Sequence, residues 1–355
     1  YYLMQAKVEP GNIGGPQISP TLQATRSNYT RVHQGNAPKY LEYFTGERPV
    51  RVLVDQLQSE QGSRFLGKRN RNLIIETREE VPVEEGFRWM TLGEIKHLLR
   101  LDNIVNMDTR SVISCIPLPA SQVLTLSPKL TEFGSSLLDS ALSSAQSPHT
   151  TGEILSWLSR LRATYHRQVV SRGLDRMQDW FLADGELKRR DGRYFSVIGA
   201  RVEIRGREVS RWSQPLLHHP GRGLNGMVTQ KIGDVLHFLI RACSYPGSRE
   251  LFELGPTVSR SDYAGQFDRP EAPPFLNLFR DPAPSTVRFC SVQSEECGRF
   301  FQYQNQYMIL ELPTDTITKI PEGFVWMTLG QIQELMPHGY FSIEARNLFA
   351  CLHLI

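Results

Sequence analysis

Short apolar runs alternate with polar turns along most of the chain. The clearest are VRVLV, NLIIE, RYFSVIGARVEI, VLHFLIRAC, VRFCSVQS and YMILEL. Runs rich in β-branched and aromatic residues and bounded by turn residues are typical of strands. The segment EILSWLSRLRATYHRQ differs, because its apolar residues recur with the spacing of one helix face. The pattern predicts an α+β fold in which short strands are combined with a few helices.

One strand-to-helix signal occurs twice. GFRWMTLGEI, residues 86–95, returns as GFVWMTLGQI at 323–332, and eight of the ten positions are identical. In both places a threonine, Thr91 or Thr328, precedes a run with helical spacing. Threonine is a favourable N-cap because its side-chain oxygen accepts a backbone N–H bond at the start of a helix. Each copy therefore predicts a strand that leads into a capped helix.

Four landmarks fall in the same order in both halves of the chain. The separations between successive landmarks are 10, 38 and 31 residues in the first half and 10, 37 and 33 in the second. The landmark pairs are Pro10 with Pro246, Pro20 with Pro256, Gln58 with Gln293, and Trp89 with Trp326. Such collinearity predicts an internal duplication.

The repeat divides the chain into three parts. Residues 1–117 are called the first segment and 153–355 the second segment; between them, 118–152 is rich in Ser and is typical of a linker with one short helix. Tyr2 aligns with Phe238, so 153–236 has no counterpart in the first segment. Half a sheet would leave an exposed edge and an unfinished core. We therefore expect an incomplete first module and a chain that is a fragment of a longer protein.

Composition and charge exclude several classes of protein. A net charge of +3 and a pI of about 8.6 suit small anionic ligands but are too weak to indicate nucleic-acid binding. Apolar runs fall short of the roughly 18 residues that span a bilayer, so no membrane partner is expected. Five cysteines without a CxxC pattern favour a reduced, cytoplasmic setting over a disulfide framework.

Motifs for metal or nucleotide-cofactor chemistry are absent from the sequence. It contains no HExxH, no zinc-type Cys/His spacing, no GxSxG, no Walker loop and no GxGxxG. REEVPVEEGF, 78–87, resembles the end of a Nudix signature, whose helix carries metal-binding glutamates. The positions that should hold the signature's further Glu and Gly are Asn70 and Arg64, and Pro82 interrupts the helix. No metal site and no cofactor are therefore expected.

The stretch QSEQGSRFLGKRNRNLIIE, 58–76, is the most informative polar region. Apolar runs on both sides of a polar turn predict a hairpin. Its basic residues suit a diphosphate, which favours forked guanidinium donors, although a solvated basic loop would look the same. These residues are Arg64, Lys68, Arg69 and Arg71.

The polar residues of the first segment are mostly replaced in the second. Only Arg64 has an identical counterpart, Arg299, among the basic residues of the hairpin. The replacements are Lys7 by Cys243, Glu9 by Tyr245, Gln23 by Ser259, Lys68 by Tyr303, Arg69 by Gln304, and Arg71 by Gln306. This pattern predicts one working pocket, in the first segment, and one relic.

Several long runs resemble the NDP-hexose 2,3-dehydratases of deoxysugar biosynthesis. They are LMQAKVEPGN, SPTLQATRSNY, YLEYF, DQLQSEQGSRF, KRNRN, RWMTLGEIKHLLRLDNIVNMDTRSVISCI and RWSQPLL. The resemblance covers nearly the whole chain and implies two duplicated Nudix-like modules. The second segment departs from the family pattern in SYPG and in PTVSRSDY.

The resemblance implies elimination of the C2 hydroxyl from a dTDP-4-keto-6-deoxyhexose, which gives a 3,4-diketo-2,6-dideoxy sugar. Such chemistry needs a base, an acid and donors to the enolate oxygen, but no redox cofactor. The candidate catalytic residues are Glu9, Glu60, Lys7 and Tyr29. The candidate substrate-binding residues are Gln23, Thr25, Asn28, Gln58, Arg64, Lys68, Arg69, Asn70 and Arg71. The Gly86–Leu92 segment is expected to be framework, with Trp89 in the core.

Two other functions remain open from the sequence. One is a non-catalytic sugar-nucleotide-binding protein, and the other is a Nudix-type diphosphate hydrolase, which the missing glutamate helix disfavours. The family resemblance further implies a homodimer and a downstream 3-ketoreductase that acts on the product.

Overall fold

The computed structural model describes residues 1–32, 36–117, 130–143, 146–192, 194–205, 209–261 and 272–354. It is a mixed structure of strands and helices. The strands are β1 Tyr2–Lys7, β2 Gln17–Pro20, β3 Arg51–Ser59, β4 Arg69–Glu76, β5 Phe87–Met90, β6 Trp180–Ala183, β7 Glu186–Arg189, β8 Ser196–Glu203, β9 Arg211–His218, β10 Gly223–Ile232, β11 Val235–Cys243, β12 Glu253–Gly255, β13 Val258–Arg260, β14 Val287–Ser294, β15 Phe300–Phe301, β16 Gln304–Leu312 and β17 Phe324–Thr328. The helices are α1 Arg26–Tyr29, α2 Leu92–Leu98, α3 Met107–Ile113, α4 Glu132–Leu142, α5 Thr151–Thr164, α6 Leu329–Leu335 and α7 Ile343–Ala350.

Four sheets organise the described residues. The largest has the order β12-β11-β10-β16-β14, with β13 also on β10 and β17 also on β11. The first segment contributes a three-stranded sheet, β2-β1-β5, and the β3-β4 hairpin. A five-stranded sheet, β15-β9-β8-β7-β6, completes the set. The predicted strands are therefore confirmed, as is the predicted hairpin at 58–76.

Corresponding strands of the two segments pair in the same register. In the first segment Tyr2 of β1 lies opposite Met90 of β5, and in the second Phe238 of β11 lies opposite Met327 of β17. The two hairpins agree in the same way: Gln58 faces Asn70 across β3-β4, and Gln293 faces Asn305 across β14-β16.

The predicted caps form at both repeated helices. Thr91 accepts a hydrogen bond from the Glu94 backbone nitrogen at 3.1 Å, and Thr328 accepts one from Gln331 at 3.3 Å. In both cases the third helical residue reaches back to the threonine, which completes a capping box. The local sequence alone therefore fixes where these helices begin.

The main core lies between the seven-stranded sheet and four helices, α4 to α7. Helix α4 was expected to sit in a linker, but it buries Phe133 and Leu137 in this core. The Ser140 hydroxyl donates to the Leu236 carbonyl at 2.6 Å and accepts from the Leu329 backbone nitrogen at 2.8 Å. The residues from 130 to 143 thus belong to the packed body of the protein, whereas 118–129 lie outside the described residues.

A buried arginine of the second segment holds the first hairpin. Arg346, in α7, is 1% exposed and donates to the Ser59 carbonyl at 2.6 Å and to Gln58 Oε1 at 3.2 Å. It also donates to the Phe341 carbonyl at 2.9 Å and to Ser111 Oγ at 3.3 Å. The end of β3 is therefore fixed by a guanidinium from the opposite segment.

The reverse contact also exists. Arg110, in α3, is fully buried and donates to the Ser294 carbonyl at 2.6 Å and to Gln293 Oε1 at 3.3 Å. Its other partners are Asn347 Oδ1 at 2.8 Å and the Val105 carbonyl at 2.7 Å. The two segments are thus interlocked rather than placed side by side as consecutive units.

Two glycines make a second pair of crossed contacts. The Gly11 nitrogen donates to the Cys297 carbonyl at 2.8 Å, and the Gly247 nitrogen donates to the Gly62 carbonyl at 2.7 Å. A Cβ at Gly11 would lie 1.7 Å from the Phe300 carbonyl oxygen, and one at Gly247 would lie 2.0 Å from that of Phe65. Only glycine permits so close an approach.

Removal of one crossed arginine should destabilise the whole chain. Arg346→Met leaves several buried acceptors without a donor, so we expect the free energy of unfolding to fall by about 2–4 kcal/mol in urea denaturation. Arg201→Met is the control, because that side chain is 77% exposed and should change stability by less than about 0.5 kcal/mol. Equal unfolding midpoints for the two variants would contradict the interlock.

Candidate functional site

A cleft of about 1220 Å³ opens on the first segment. Its walls come from β1, β2, α1, β4 and α3, and one further wall is the turn at 296–299, which belongs to the second segment. Ligand sites in proteins are commonly concave and of this order of volume. The cleft therefore joins residues of both segments in one candidate active site.

A polar chain runs along one side of the cleft. Lys7 ends β1, and its ammonium lies 2.7 Å from Glu9 Oε1 and 3.1 Å from Gln23 Oε1. The Gln23 amide in turn donates to the Asp108 carboxylate, in the first turn of α3. Three of the predicted residues thus meet here, together with Asp108, which was not predicted.

A second polar group lies around Arg299. Its guanidinium is 3.2 Å from Glu296 Oε1 and 3.6 Å from Glu60 Oε2. Asn70 donates to the other Glu60 oxygen. Glu60 Oε2 and Glu296 Oε2 are buried and accept no hydrogen bond from the described residues. Glu60 does not itself line the cleft but contacts Asn70 and Arg299, which do.

The carboxyl groups of the cleft raise one another's proton affinity. Burial, followed by the charge of Glu60, raises the pKa of Asp108 to about 6, although Lys7 acts in the opposite direction. Burial, followed by the charges of Asp108 and Glu60, holds the pKa of Glu296 well above its usual range. The site therefore raises the pKa of two neighbouring carboxyl groups, an arrangement that is common where acid–base chemistry takes place.

The predicted residues of α1 lie at the cleft wall. Thr25 caps the helix and forms a capping box with Asn28. Tyr29 ends α1 and is 47% exposed. All three line the cleft.

The basic residues of β4 and the turn before it line the cleft as well. Arg69 forms an ion pair with Glu250 of the second segment, in which Nη2 lies 3.3 Å from Glu250 Oε1. Arg71 makes a two-pronged pair with Asp55, with both contacts at 2.6 Å. Lys68 precedes β4 on the same wall.

Besides Glu60, the structure places two predicted residues outside the cleft. Arg64 packs 4.8 Å above the Phe195 ring and faces the second segment. Gln58 is buried, donates to the Met336 carbonyl at 3.1 Å and accepts from Arg346. The substrate-binding assignment of these two rested on their position in the hairpin sequence, and their side chains serve contacts between the segments.

Sequence reasoning missed three cleft residues and misplaced a fourth. Asp108, Glu296 and Arg299 line the cleft, and Trp89, expected in the core, is 39% exposed on its wall. A signal for Glu296 and Arg299 existed in QSEECGRF, which keeps the turn of the first hairpin. It was overlooked because the second segment was treated as a relic with a pocket of its own.

The corresponding positions of the second segment carry different side chains, and burial raises the pKa of each. Cys243 is buried, and burial raises its pKa to about 11. Tyr245 stands at the position of Glu9, and burial holds its pKa well above the usual range. Glu344 stands at the position of Asp108, and burial raises its pKa to about 7. Uncharged side chains thus occupy the positions that carry Lys7 and Glu9 in the first segment.

The described residues carry neither a metal-ligand cluster nor a membrane-spanning helix. No group of three or more potential metal-ligating side chains comes together there. None of the helices in that part of the chain is long and apolar enough to cross a membrane.

Comparison with known proteins identifies the family. A sequence model described as NDP-hexose 2,3-dehydratase matches residues 1–116 and 151–352. The chain is 44% identical over 354 residues to a dTDP-4-dehydro-6-deoxy-alpha-D-glucopyranose 2,3-dehydratase of Saccharopolyspora spinosa, with 99% of this chain and 73% of that protein covered. Proteins with the same name from Streptomyces violaceoruber and Amycolatopsis orientalis are 39% and 38% identical; the matches cover 100% and 99% of this chain, and 77% and 70% of theirs. The chain belongs to the NDP-hexose 2,3-dehydratase family.

One solved structure, described as an ADP compounds hydrolase, matches with a TM-score of 0.28 and 17% identity. The match covers 47% of this chain and 85% of that one.

The raised pKa of Asp108 predicts a stabilising substitution. A carboxyl that binds its proton more tightly in the folded chain contributes stability at low pH, which is lost as the pH rises from its usual value of 3.8 to about 6. Asp108→Asn stays neutral, so we expect its melting temperature to exceed the parent's by roughly 2–6 °C at pH 8. The difference should shrink towards pH 4.

Thermal denaturation at pH 4, 6 and 8 tests this expectation. Asp281→Asn, at an exposed position, is the control and should show no such pH-dependent difference. If Asp108→Asn melts below the parent at pH 8, the charge of Asp108 does not destabilise the folded chain and the expectation is wrong.

Proposed function

We propose that the chain is a hydro-lyase that removes the C2 hydroxyl of dTDP-4-keto-6-deoxyglucose and yields the 3,4-diketo-2,6-dideoxy sugar. The names of three relatives at 38–44% identity support this substrate. The observation that carries the proposal is the cleft in which Glu9, Lys7 and Asp108 are linked by short polar contacts. Such an array of acidic and basic groups can remove a proton from one carbon of a sugar ring and supply a proton to a group on the next carbon.

The reaction is an elimination beside a ketone. A base takes the C3 hydrogen, and the electron pair forms an enolate on the C4 oxygen. The enolate then collapses, C2=C3 forms, and the C2–O bond breaks with protonation of the departing hydroxide. The resulting enol loses its C3 hydroxyl proton and gains a proton at C2, so the net change is loss of one water. The steps are acid–base chemistry throughout.

Glu9 is assigned as the base and Lys7 as the donor to the enolate oxygen. Glu9 follows the end of β1 and is held by the Lys7 ammonium at 2.7 Å. A preorganised cation beside the developing oxyanion lowers the barrier to removal of the C3 hydrogen. Glu60 acts through Arg299, and the half-exposed Tyr29 is assigned as a hydroxyl donor to the sugar.

The diphosphate is assigned to the β4 wall. Lys68, Arg69 and Arg71 follow one another along that wall. Arg69 keeps part of its fork available beside Glu250, since its described contact uses only Nη2. Gln23, Thr25, Asn28 and Asn70 would complete the polar contacts to the sugar and nucleotide.

We further propose that the chain arose by duplication of a Nudix-like module and acts as a homodimer in the cytoplasm. The equal strand registers of the two segments support the duplication. A 3,4-diketo sugar is reactive, so a 3-ketoreductase is the expected consumer of the product.

Two alternatives predict different products from the same incubation. The protein is incubated with dTDP-4-keto-6-deoxyglucose, and mass spectrometry monitors the products. Loss of one water from the sugar nucleotide supports the assignment as a dehydratase. Release of a nucleoside monophosphate would indicate a hydrolase, and unchanged ligand would indicate a binding protein.

Turnover should survive EDTA and dialysis, because elimination beside a ketone needs only acid and base. Loss of activity in EDTA with rescue by magnesium would overturn the mechanism.

The assignment of the diphosphate wall is tested by paired substitutions. Arg69→Ala removes one charge-assisted contact and should weaken substrate binding about ten- to a hundredfold. Gln304→Ala, at the corresponding position of the second segment, should leave KM within about threefold of the parent. Steady-state kinetics on variants that melt like the parent give the result. Equal damage from both changes would mean that the diphosphate lies elsewhere.

A further inference from the structure

The turn at 295–299 is built rigidly into the cleft. The Glu296 carbonyl accepts backbone hydrogen bonds from Arg299 and Phe300, both at 2.9 Å. The close approach of Gly11 described above anchors the same turn, and the Gln214 amide donates to the Gly298 carbonyl at 2.7 Å. The second segment thus presents a preorganised side chain, Glu296, to the cleft of the first.

Glu296 lies within reach of the assigned base. A methyl group at Gly298 would stand 3.5 Å from Glu9 Oε2 and 3.6 Å from Glu296 Oε1. The two carboxyl groups therefore both lie beside Gly298 and face the same part of the cleft. A base at C3 and an acid at C2 require such an arrangement.

The surroundings of Glu296 favour its protonated form. Burial raises its pKa, the negative charges of Asp108, Glu60 and Glu9 raise it further, and the Arg299 cation that contacts its Oε1 acts in the opposite direction. Its Oε2 is buried and accepts no hydrogen bond from the described residues, so no protein donor among them competes for that atom. Asp108 differs, because its carboxylate already accepts a bond from Gln23.

We propose that Glu296, supplied by the second segment, is the acid that protonates the departing C2 hydroxide. This inference rests on the proposed dehydration. When the C2–O bond breaks, the electron pair stays on oxygen, the Glu296 proton joins it, and water leaves. Glu296 is left as a carboxylate beside Arg299, and it regains a proton from solvent or from Glu9 as the enol tautomerises.

The test separates removal of the C3 hydrogen from loss of the hydroxyl. In D2O, an enzyme without its acid can still form the enolate and return deuterium to C3. We expect Glu296→Gln to slow water loss by about a hundredfold or more while exchange at C3 stays within about tenfold of the parent. Mass spectrometry and proton NMR follow both in one sample, and continued exchange also reports an intact site.

A substrate analogue adds an independent readout. Fluoride is a better leaving group than hydroxide and can depart without being protonated. Elimination from the 2-fluoro analogue of the substrate therefore depends less on an acid. Glu296→Gln should eliminate fluoride within about tenfold of the parent rate, and Glu296→Asp should retain part of the activity on the natural substrate.

Glu311→Gln is the matched control. The Glu311 side chain is 13% exposed and pairs with Arg288, much as Glu296, at 14%, pairs with Arg299, but it does not line the cleft. It should leave both exchange and elimination unchanged.

The outcomes are distinct. A parent chain that neither exchanges C3 nor loses water refutes the dehydration itself. A parent that eliminates, with Glu296→Gln equally fast, refutes the role of Glu296. A folded Glu296→Gln that loses exchange and elimination together, without rescue by the fluoro substrate, also refutes it. Circular dichroism and the Glu296→Asp variant identify a folding failure.

Discussion

Two buried guanidinium groups, Arg110 and Arg346, determine how the rest of the molecule is assembled. Each leaves its own segment and donates to the strand end of the other, where Ser294 and Ser59 supply the carbonyl oxygens. A buried charge is tolerated only if its donors are matched by acceptors, so the geometry admits little variation. The residues directly after these strand ends include Glu60 and Glu296. The contacts that hold the segments together therefore also place Glu296 in the cleft and Glu60 beside it, on Arg299.

The cleft is correspondingly strained electrostatically. Burial brings Asp108 and Glu296 close to other carboxyl groups, and the cations Lys7 and Arg299 only partly offset the repulsion. A site selected for stability alone would replace one of these acids by an amide. Their presence is better explained by chemistry, since an elimination needs a charged base and a neutral acid at the same pH. Stability and function oppose each other at Asp108 for this reason.

Local features could be predicted from the sequence, and long-range placement could not. The capping boxes at Thr91 and Thr328 and the hairpin at 58–76 depend on residues a few positions apart, and they were predicted correctly. Glu296 enters the cleft through contacts with Gly11, almost the whole chain away in sequence. Trp89 illustrates the same limit: it repeats Trp326, yet Trp326 is packed in a core and Trp89 lies on the cleft wall, because their neighbours differ.

The second segment then has two kinds of position, which obey different constraints. Cys243 and Tyr245 stand at the positions of Lys7 and Glu9, and uncharged side chains there carry no cost of burying a charge. Glu296 and Arg299 face the first segment's cleft, and their polar character is kept despite burial that disfavours it. A second segment that served only as a scaffold would have no physical reason to place the Glu296–Arg299 pair in the first segment's cleft. The interlock supplies that reason, because the second segment forms part of the first segment's cleft whatever side chains its own interior carries.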